Sequence, residues 1–289
     1  MGNIVLEAKN LSKAYNHTKV VDNLDLRIEE GEIFGFLGPN GAGKTTTILM
    51  MLGLTEPTSG EVNIFGYNST REPLKVKKIT SYLPENVGFY EDLTAQENLK
   101  YITRLNGIPE READSKIEEA LEIVGLSKVA RLEVGKYSKG MKQRLGMGAA
   151  LVKEPKLAIL DEPTTGIDPK GVEEILQLIV KMSKEQNITI LLSSHLLYQV
   201  QKICTKIGII SQGRMVAQGT IKEIGENLRK GEKESGLEEK EEVLEVKVNP
   251  QLTPDLIEAI RKMEGVRGVE KKTTDYSLEE IYIKYFREG

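Results

Sequence analysis

Gly38-Pro39-Asn40-Gly41-Ala42-Gly43-Lys44-Thr45 follows the pattern G-x-x-x-x-G-K-[ST]. Residues of these types in this order suit one task, holding a nucleotide triphosphate. The glycines let the backbone turn tightly and aim its N–H groups at phosphate oxygens. Lys44 reaches the β- and γ-phosphates, and the Thr45 hydroxyl suits a Mg2+ ion. Around the loop, Glu32-Ile33-Phe34-Gly35-Phe36-Leu37 is a short apolar run that predicts a buried strand. Thr46-Thr47-Ile48-Leu49-Met50-Met51-Leu52 predicts the following helix, with Gly53 as its C-cap. A helix starting near Lys44 adds the positive end of its dipole to the anion site.

Outward from that unit, strand and helix patterns alternate. Residues 4 to 9 and 20 to 30 predict strands; in the second, Leu24, Leu26 and Ile28 alternate with Asp25, Arg27 and Glu29. Further short strands are predicted over Glu61 to Phe65 and Ser81 to Leu83. From about residue 94 the pattern turns helical. Thr94-Ala95-Gln96-Glu97 is a capping box opening a helix to Asn106. A second helix is predicted over 110 to 124 and a third from Ser138 to Val152. Then strands at Leu157 to Leu160, Thr189 to Leu192 and Lys206 to Ser211 alternate with helices at 170 to 186 and His195 to Ile203. Such alternation predicts an α/β fold with a mostly parallel sheet covered by helices.

Residues 226 to 242 are mostly charged and predict a solvated linker or helix end. Beyond them, a small α+β unit is expected over 243 to 289. It has a strand at Leu244 to Val248, a helix from Thr253-Pro254 and a return strand over Gly265 to Lys271. A last helix opens on the Ser277/Glu280 capping box, striped by Leu278, Ile281, Tyr285 and Phe286. About 50 residues bury little by themselves, so this tail is expected to dock on its own first domain or on a second copy.

The 289 residues carry a net charge of −4, which supplies no global basic field for nucleic acid or anionic lipid. The single cysteine, Cys204, excludes an internal disulfide and fits a reducing compartment. No run approaches the roughly 20 apolar residues of a membrane span, and the N-terminus lacks the pattern of a signal peptide. A soluble, cytoplasmic chain is expected.

A triphosphate loop calls for a metal partner and, if it hydrolyses, a base. Leu157-Ala158-Ile159-Leu160-Asp161-Glu162-Pro163 delivers both. Its apolar strand brings Asp161 to the C-terminal edge of a parallel sheet, where it can hold Mg2+ directly or through water. Glu162 follows at once and therefore points elsewhere, which suits a general base polarising water. His195, after Ser193-Ser194, stands at the same expected edge, within reach of a γ-phosphate. Glu162, His195 and Lys44 are the candidate catalytic residues. Asn-Lys-x-Asp, the guanine-reading motif, is not found, so the nucleotide is expected to be ATP rather than GTP.

The order of these motifs resembles the ATP-binding subunit of an ABC transporter, over residues 4 to 223. The distinguishing signature is Tyr137-Ser138-Lys139-Gly140-Met141-Lys142-Gln143-Arg144. Ser138 and Gly140 match the family's Leu-Ser-Gly-Gly-Gln, whereas Lys139 and Met141 depart from it. The resemblance implies a P-loop NTPase core of ABC type, with a mostly parallel sheet, an antiparallel β subdomain and a helical insert at about 90–152. This core spans 1–225, followed by the 226–242 linker and the 243–289 accessory domain.

The resemblance also implies site roles. Tyr15 stacks on adenine. Gly38, Pro39, Asn40, Gly41, Ala42, Gly43, Lys44, Thr45 and Thr46 bind phosphates, and Ser138 and Gly140 bind the nucleotide of a second subunit. Thr45, Asp161 and Glu85 surround Mg2+. Glu85, in Tyr82-Leu83-Pro84-Glu85, stands where the family has Gln; a carboxylate ligates Mg2+ but donates no hydrogen bond when ionised. Thr165-Gly166-Ile167-Asp168 resembles the loop that passes Asp across the dimer. The implied mechanism is head-to-tail pairing of two subunits around ATP, with hydrolysis driving a transmembrane permease. The subunit would then sit on the inner face of the cell membrane. Phe89, Tyr90 and Leu93 are candidate docking residues. The Glu85 and Lys139 variants resemble an exporter-type subset. Two alternatives are a soluble ATPase of the same fold acting on DNA or ribosomes, and a nucleotide-gated regulator without turnover.

Overall fold

The computed structural model describes residues 2–235, 259 and 278–287. Two long strands come first, β1 (Ile4–Tyr15) and β2 (Thr18–Glu29). They meet at Asn16-His17, both at positive φ, 46° and 66°, as a two-residue turn matched to strand twist requires. Pairing runs from Ile4↔Glu29 to Tyr15↔Thr18, so both strands extend beyond their sequence-predicted limits. The reason is a set of irregularities along β1, among them one between Ala8 and Leu11. An extra residue breaks the strict alternation on which a period-two reading depends.

β3 (Ile33–Leu37) is buried at every position, and the loop at 38–43 leads into α1 (Lys44–Met51). β4 (Ser59–Ile64), the two-residue β5 (Tyr67–Asn68), α2 (Pro73–Ile79) and β6 (Thr80–Leu83) follow. The helical insert holds α3 (Ala95–Leu105), opened by the predicted Thr94/Glu97 capping box, α4 (Glu110–Ile123), and α5 (Lys139–Leu151), capped by Ser138. Then come β7 (Leu157–Asp161), α6 (Pro169–Glu185), β8 (Thr189–Ser194) and α7 (Leu197–Ile203). β9 (Lys206–Ser211), β10 (Arg214–Gly219), α8 (Ile221–Ser235) and α9 (Leu278–Arg287) complete the described chain.

Two sheets organise these elements: β2-β1-β4-β5, and β10-β9-β3-β8-β7-β6. The first is antiparallel. In the second, β9, β3, β8, β7 and β6 are parallel, and β10 returns antiparallel to β9. The sequence reading did not include α2, β5 or β10; each is short, or alternates too weakly to stand out. Phe34, Phe36, Leu157, Ile159 and Leu191 join β1, β2 and α1 in one apolar cluster. Ala158, Leu160, Ile190 and Leu192 face the insert and α6 in another. The central strands are therefore buried on both faces, as expected where crossover helices cover a parallel sheet.

The charged stretch predicted from residue 226 begins inside α8, which runs to Ser235. Most of the predicted linker and accessory domain lies outside the described residues. Its last predicted helix is present as α9, with Leu278 and Ile281 fully buried against Leu37, Val200, Ile207, Ile209 and Ile224.

Candidate functional site

The loop after β3 owes its shape to local geometry. Gly41 and Gly43 take φ of 81° and 103°, conformations open to glycine. A Cβ at Gly38 would lie 2.5 Å from the Ile210 carbonyl oxygen, and one at Gly43 2.8 Å from that of Val20. The loop therefore lies flat against β2 and β9. Gly43 accepts hydrogen bonds from the Thr47 N–H at 2.9 Å and its hydroxyl at 2.8 Å, which closes the first turn of α1. Thr45 and Asn40 stay exposed, with Thr46 and Pro39 half-buried.

Lys44 is buried and turned across the loop. Its ammonium donates to the carbonyl oxygens of Gly38 at 2.7 Å and Pro39 at 3.2 Å. Glu162 Oε1 stands 3.5 Å from the same Nζ. The Thr45 hydroxyl donates to Asp161 Oδ2 at 3.0 Å, so a Ser/Thr hydroxyl and a carboxylate, both hard oxygen donors, stand together at the loop's edge. Such a pair suits Mg2+, which keeps several ligand positions for phosphate and water. Among the described residues no group of three or more His, Cys, Asp or Glu forms a metal cluster by itself.

Parallel pairing sets Asp161 opposite Ser193, and the Ser193 hydroxyl donates a short hydrogen bond to Asp161 Oδ1. The Glu162 N–H donates to the Ser193 hydroxyl at 3.1 Å. Glu162 itself sits at φ 49°, an uncommon conformation for a non-glycine residue. This kink turns its carboxylate into the site. Oε2 meets His195 Nδ1 at 2.8 Å, while buried Oε1 has no hydrogen-bond partner and faces the Lys44 ammonium at 3.5 Å. Lys44, Asp161, Glu162 and His195 thus converge, as the sequence predicts. Ser193 was missed; its only signal was its place in Ser193-Ser194-His195.

Other candidates stand apart from this cluster. Tyr15, at the end of β1, is exposed, and Lys13 Nζ lies 5.0 Å from its ring centroid. Ser138 is exposed at the start of α5, where its side chain accepts from the Met141 N–H at 3.3 Å. Gly140 is the second residue of α5, and neither it nor Ser138 is bonded to the loop at 38–45. Asp168 caps α6 by accepting from the Gly171 N–H at 3.0 Å. Glu85 is exposed beyond β6. Neighbouring Tyr82 half-buries its phenol, whose pKa is pushed up to about 12 by burial, then by Asp161 and Glu85.

A family model described as ABC transporter matches residues 21–165. The chain belongs to the ABC transporter family. Within it, this is an ATP-binding subunit and an ATPase, and its fold class is the one predicted. The bacitracin transport ATP-binding protein BcrA of Bacillus licheniformis is 45% identical, over 74% of this chain and 69% of its own. The linearmycin resistance ATP-binding protein LnrL of Bacillus subtilis (strain 168) is 42% identical, over 75% and 69%. A dimeric ATP-binding cassette solved in a post-hydrolysis state with ADP and Pi superposes with a TM-score of 0.67 at 25% identity. That match covers 74% of this chain and 98% of the other.

Proposed function

We propose that this ABC subunit hydrolyses ATP with Glu162 as general base, and that hydrolysis powers export through a separate membrane permease. The observation that carries the reading is the meeting of Lys44, Glu162 and His195 beside the phosphate-binding loop. Lys44 is held by carbonyls and a carboxylate that phosphate oxygens can replace. Residues 38 to 46 cradle the phosphates with backbone N–H groups and the α1 dipole, and Tyr15 offers its ring to adenine. The Thr45 hydroxyl and Asp161 carboxylate would hold Mg2+, with Glu85 approaching from the β6 side. The ion's charge would stabilise the transferring phosphoryl oxygens. Once phosphate draws Lys44 away, Glu162 Oε1 is free to take a proton from water, and His195 orients Oε2 and contacts the γ-phosphate.

Ser138 and Gly140 stand apart from the loop and are available to a second copy. In this reading two subunits pair head to tail, each signature closing over the other's ATP, as the dimeric form of a related cassette supports. Transport is favoured over action on DNA or ribosomes by the relatives' names, which specify bacitracin transport and linearmycin resistance. No helix among the described residues is long and apolar enough to cross a membrane; in this reading the permease is a separate chain, and the subunit sits against it on the inner face, as the relatives' names as transport ATP-binding proteins support. A cavity of about 350 Å3 beside Phe89, Tyr90 and Tyr101 is the proposed docking groove. The Tyr90 and Tyr101 rings meet edge to face there at 5.2 Å.

Glu162→Gln is expected to lower kcat by about 100-fold or more, the scale of general-base catalysis. ATP-dependent dimerisation, read by light scattering, should persist. Hydrolysis at the parental rate would remove Glu162 from the role of base.

A further inference from the structure

Gln199 is a fully buried amide with no part in the scheme above. Its Oε1 accepts from the Thr164 hydroxyl at 2.6 Å and from the Ser194 hydroxyl at 3.4 Å. Thr164 lies two residues beyond Glu162, and Ser194 immediately precedes His195. One amide oxygen therefore ties the chain after Glu162 to the chain before His195. Ser194 Oγ also accepts from the Leu196 N–H at 3.0 Å, closing the turn into α7. Gln199 Nε2 faces the Tyr198 hydroxyl at 3.2 Å. A buried amide is costly unless its bonds are made, and here they are made to the segments that hold the catalytic pair.

The helix that carries Gln199 is placed from outside. At seven residues, α7 is too short to be stable without packing. One side of it rests on β3, where a Cβ at Gly35 would lie 2.4 Å from Val200. α9 packs into the same contact: Leu278 and Ile281 are fully buried in a cluster with Val200 and Leu37, and Leu197, Cys204 and Tyr285 pack at its margin. Leu37 is the residue before Gly38. On α9, the pKa of the Tyr282 phenol is raised by burial and then by the charge of Glu162.

We propose that Gln199 is a positioning residue for hydrolysis: it pins α7 to the Glu162 and His195 segments, and α9, seated on α7, sets the approach of His195 to Glu162. The C-terminal helix then acts on turnover without touching nucleotide. This inference rests on the reading of Glu162 and His195 as the hydrolytic pair.

The test uses the purified full chain, with steady-state ATPase kinetics and a fluorescent ATP analogue for affinity. Gln199→Ala is expected to lower kcat about tenfold, as small misplacements of reacting groups do, with nucleotide affinity within about twofold of the parent. Gln199→Glu keeps an acceptor for both hydroxyls and should recover most of kcat. Thr164→Val, which deletes one hydroxyl at nearly constant volume, should reproduce the Gln199→Ala loss even if that variant folds poorly. The pair Leu278→Ala and Ile281→Ala should lower kcat in the parent and add little in the Gln199→Ala background, because coupled residues are non-additive. Parental kcat in Gln199→Ala and Thr164→Val would overturn the proposal while leaving the catalytic pair in place. So would a parallel fall in kcat and affinity, which marks general destabilisation. Turnover in Glu162→Gln at the parental rate would instead remove the reading beneath it.

Discussion

Tyr15 illustrates how a single side chain can be presented rather than buried. It closes the first hairpin, 48% exposed, with the Lys13 ammonium over one face of its ring. Lys13 is itself anchored by donating to the Glu56 carbonyl at 2.7 Å. A planar, half-exposed ring is what stacking on a base needs. Stacking is worth about 1–3 kcal/mol per base, so Tyr15→Ala is expected to weaken ATP affinity about tenfold in a fluorescence titration, whereas Tyr15→Phe should change it little. Cys204 is a partly buried contrast. Packing against the α9 cluster pushes its thiol well above the usual range, so little thiolate exists at neutral pH. The native protein should react with a thiol-specific maleimide more slowly than the unfolded chain, as mass spectrometry can show.

At the scale of elements, the segment between β6 and α3 is tied down by a buried amide. Asn98 is buried; its Oδ1 accepts from the Tyr90 N–H at 3.0 Å, and its Nδ2 donates to the carbonyls of Tyr90 and Thr94, each at 3.0 Å. The same segment accepts at Glu91 from the Gly135 N–H at 2.8 Å and at Leu93 from the Val134 N–H at 2.9 Å. Those donors lie just before Ser138, so the proposed docking groove and the signature share one backbone frame. Leaving such buried groups unsatisfied costs about 1–3 kcal/mol. Asn98→Ala should lower stability by that amount in denaturant unfolding, with the slope unchanged. The capping box at Thr94/Glu97 and the Ser138 cap were legible beforehand, because a cap needs only neighbours in sequence. Asn98's role was not, because its partners are set by how a loop folds back over a helix.

The whole molecule is organised around a sheet buried on both faces. Phe36 is fully buried on β3, in the cluster shared by the two sheets and α1, two residues before the phosphate-binding loop. Truncating it leaves a cavity under that loop. Phe36→Ala is expected to cost about 3–5 kcal/mol, read by denaturant unfolding. At this scale the alternation of strands and helices predicted the parallel sheet and its covering helices. It did not predict strand order, nor β10 returning beside β9, since order depends on which faces pack rather than on period.

What could be read in the linear chain was contiguous. The loop at 38–45, the Asp161-Glu162 pair at the end of an apolar strand and the Ser138 signature that opens α5 each form a pattern within a few adjacent residues, where backbone sterics and spacing suffice. Contacts between distant segments belong to the tertiary structure. It sets Lys44 against Glu162, gives Glu162 the left-handed kink that aims it at His195, and opposes Ser193 to Asp161. It also seats α9 on α7 and β3. The physical reason is that a motif is held by local geometry, whereas an encounter between remote side chains depends on strand register and packed faces, which no short stretch encodes.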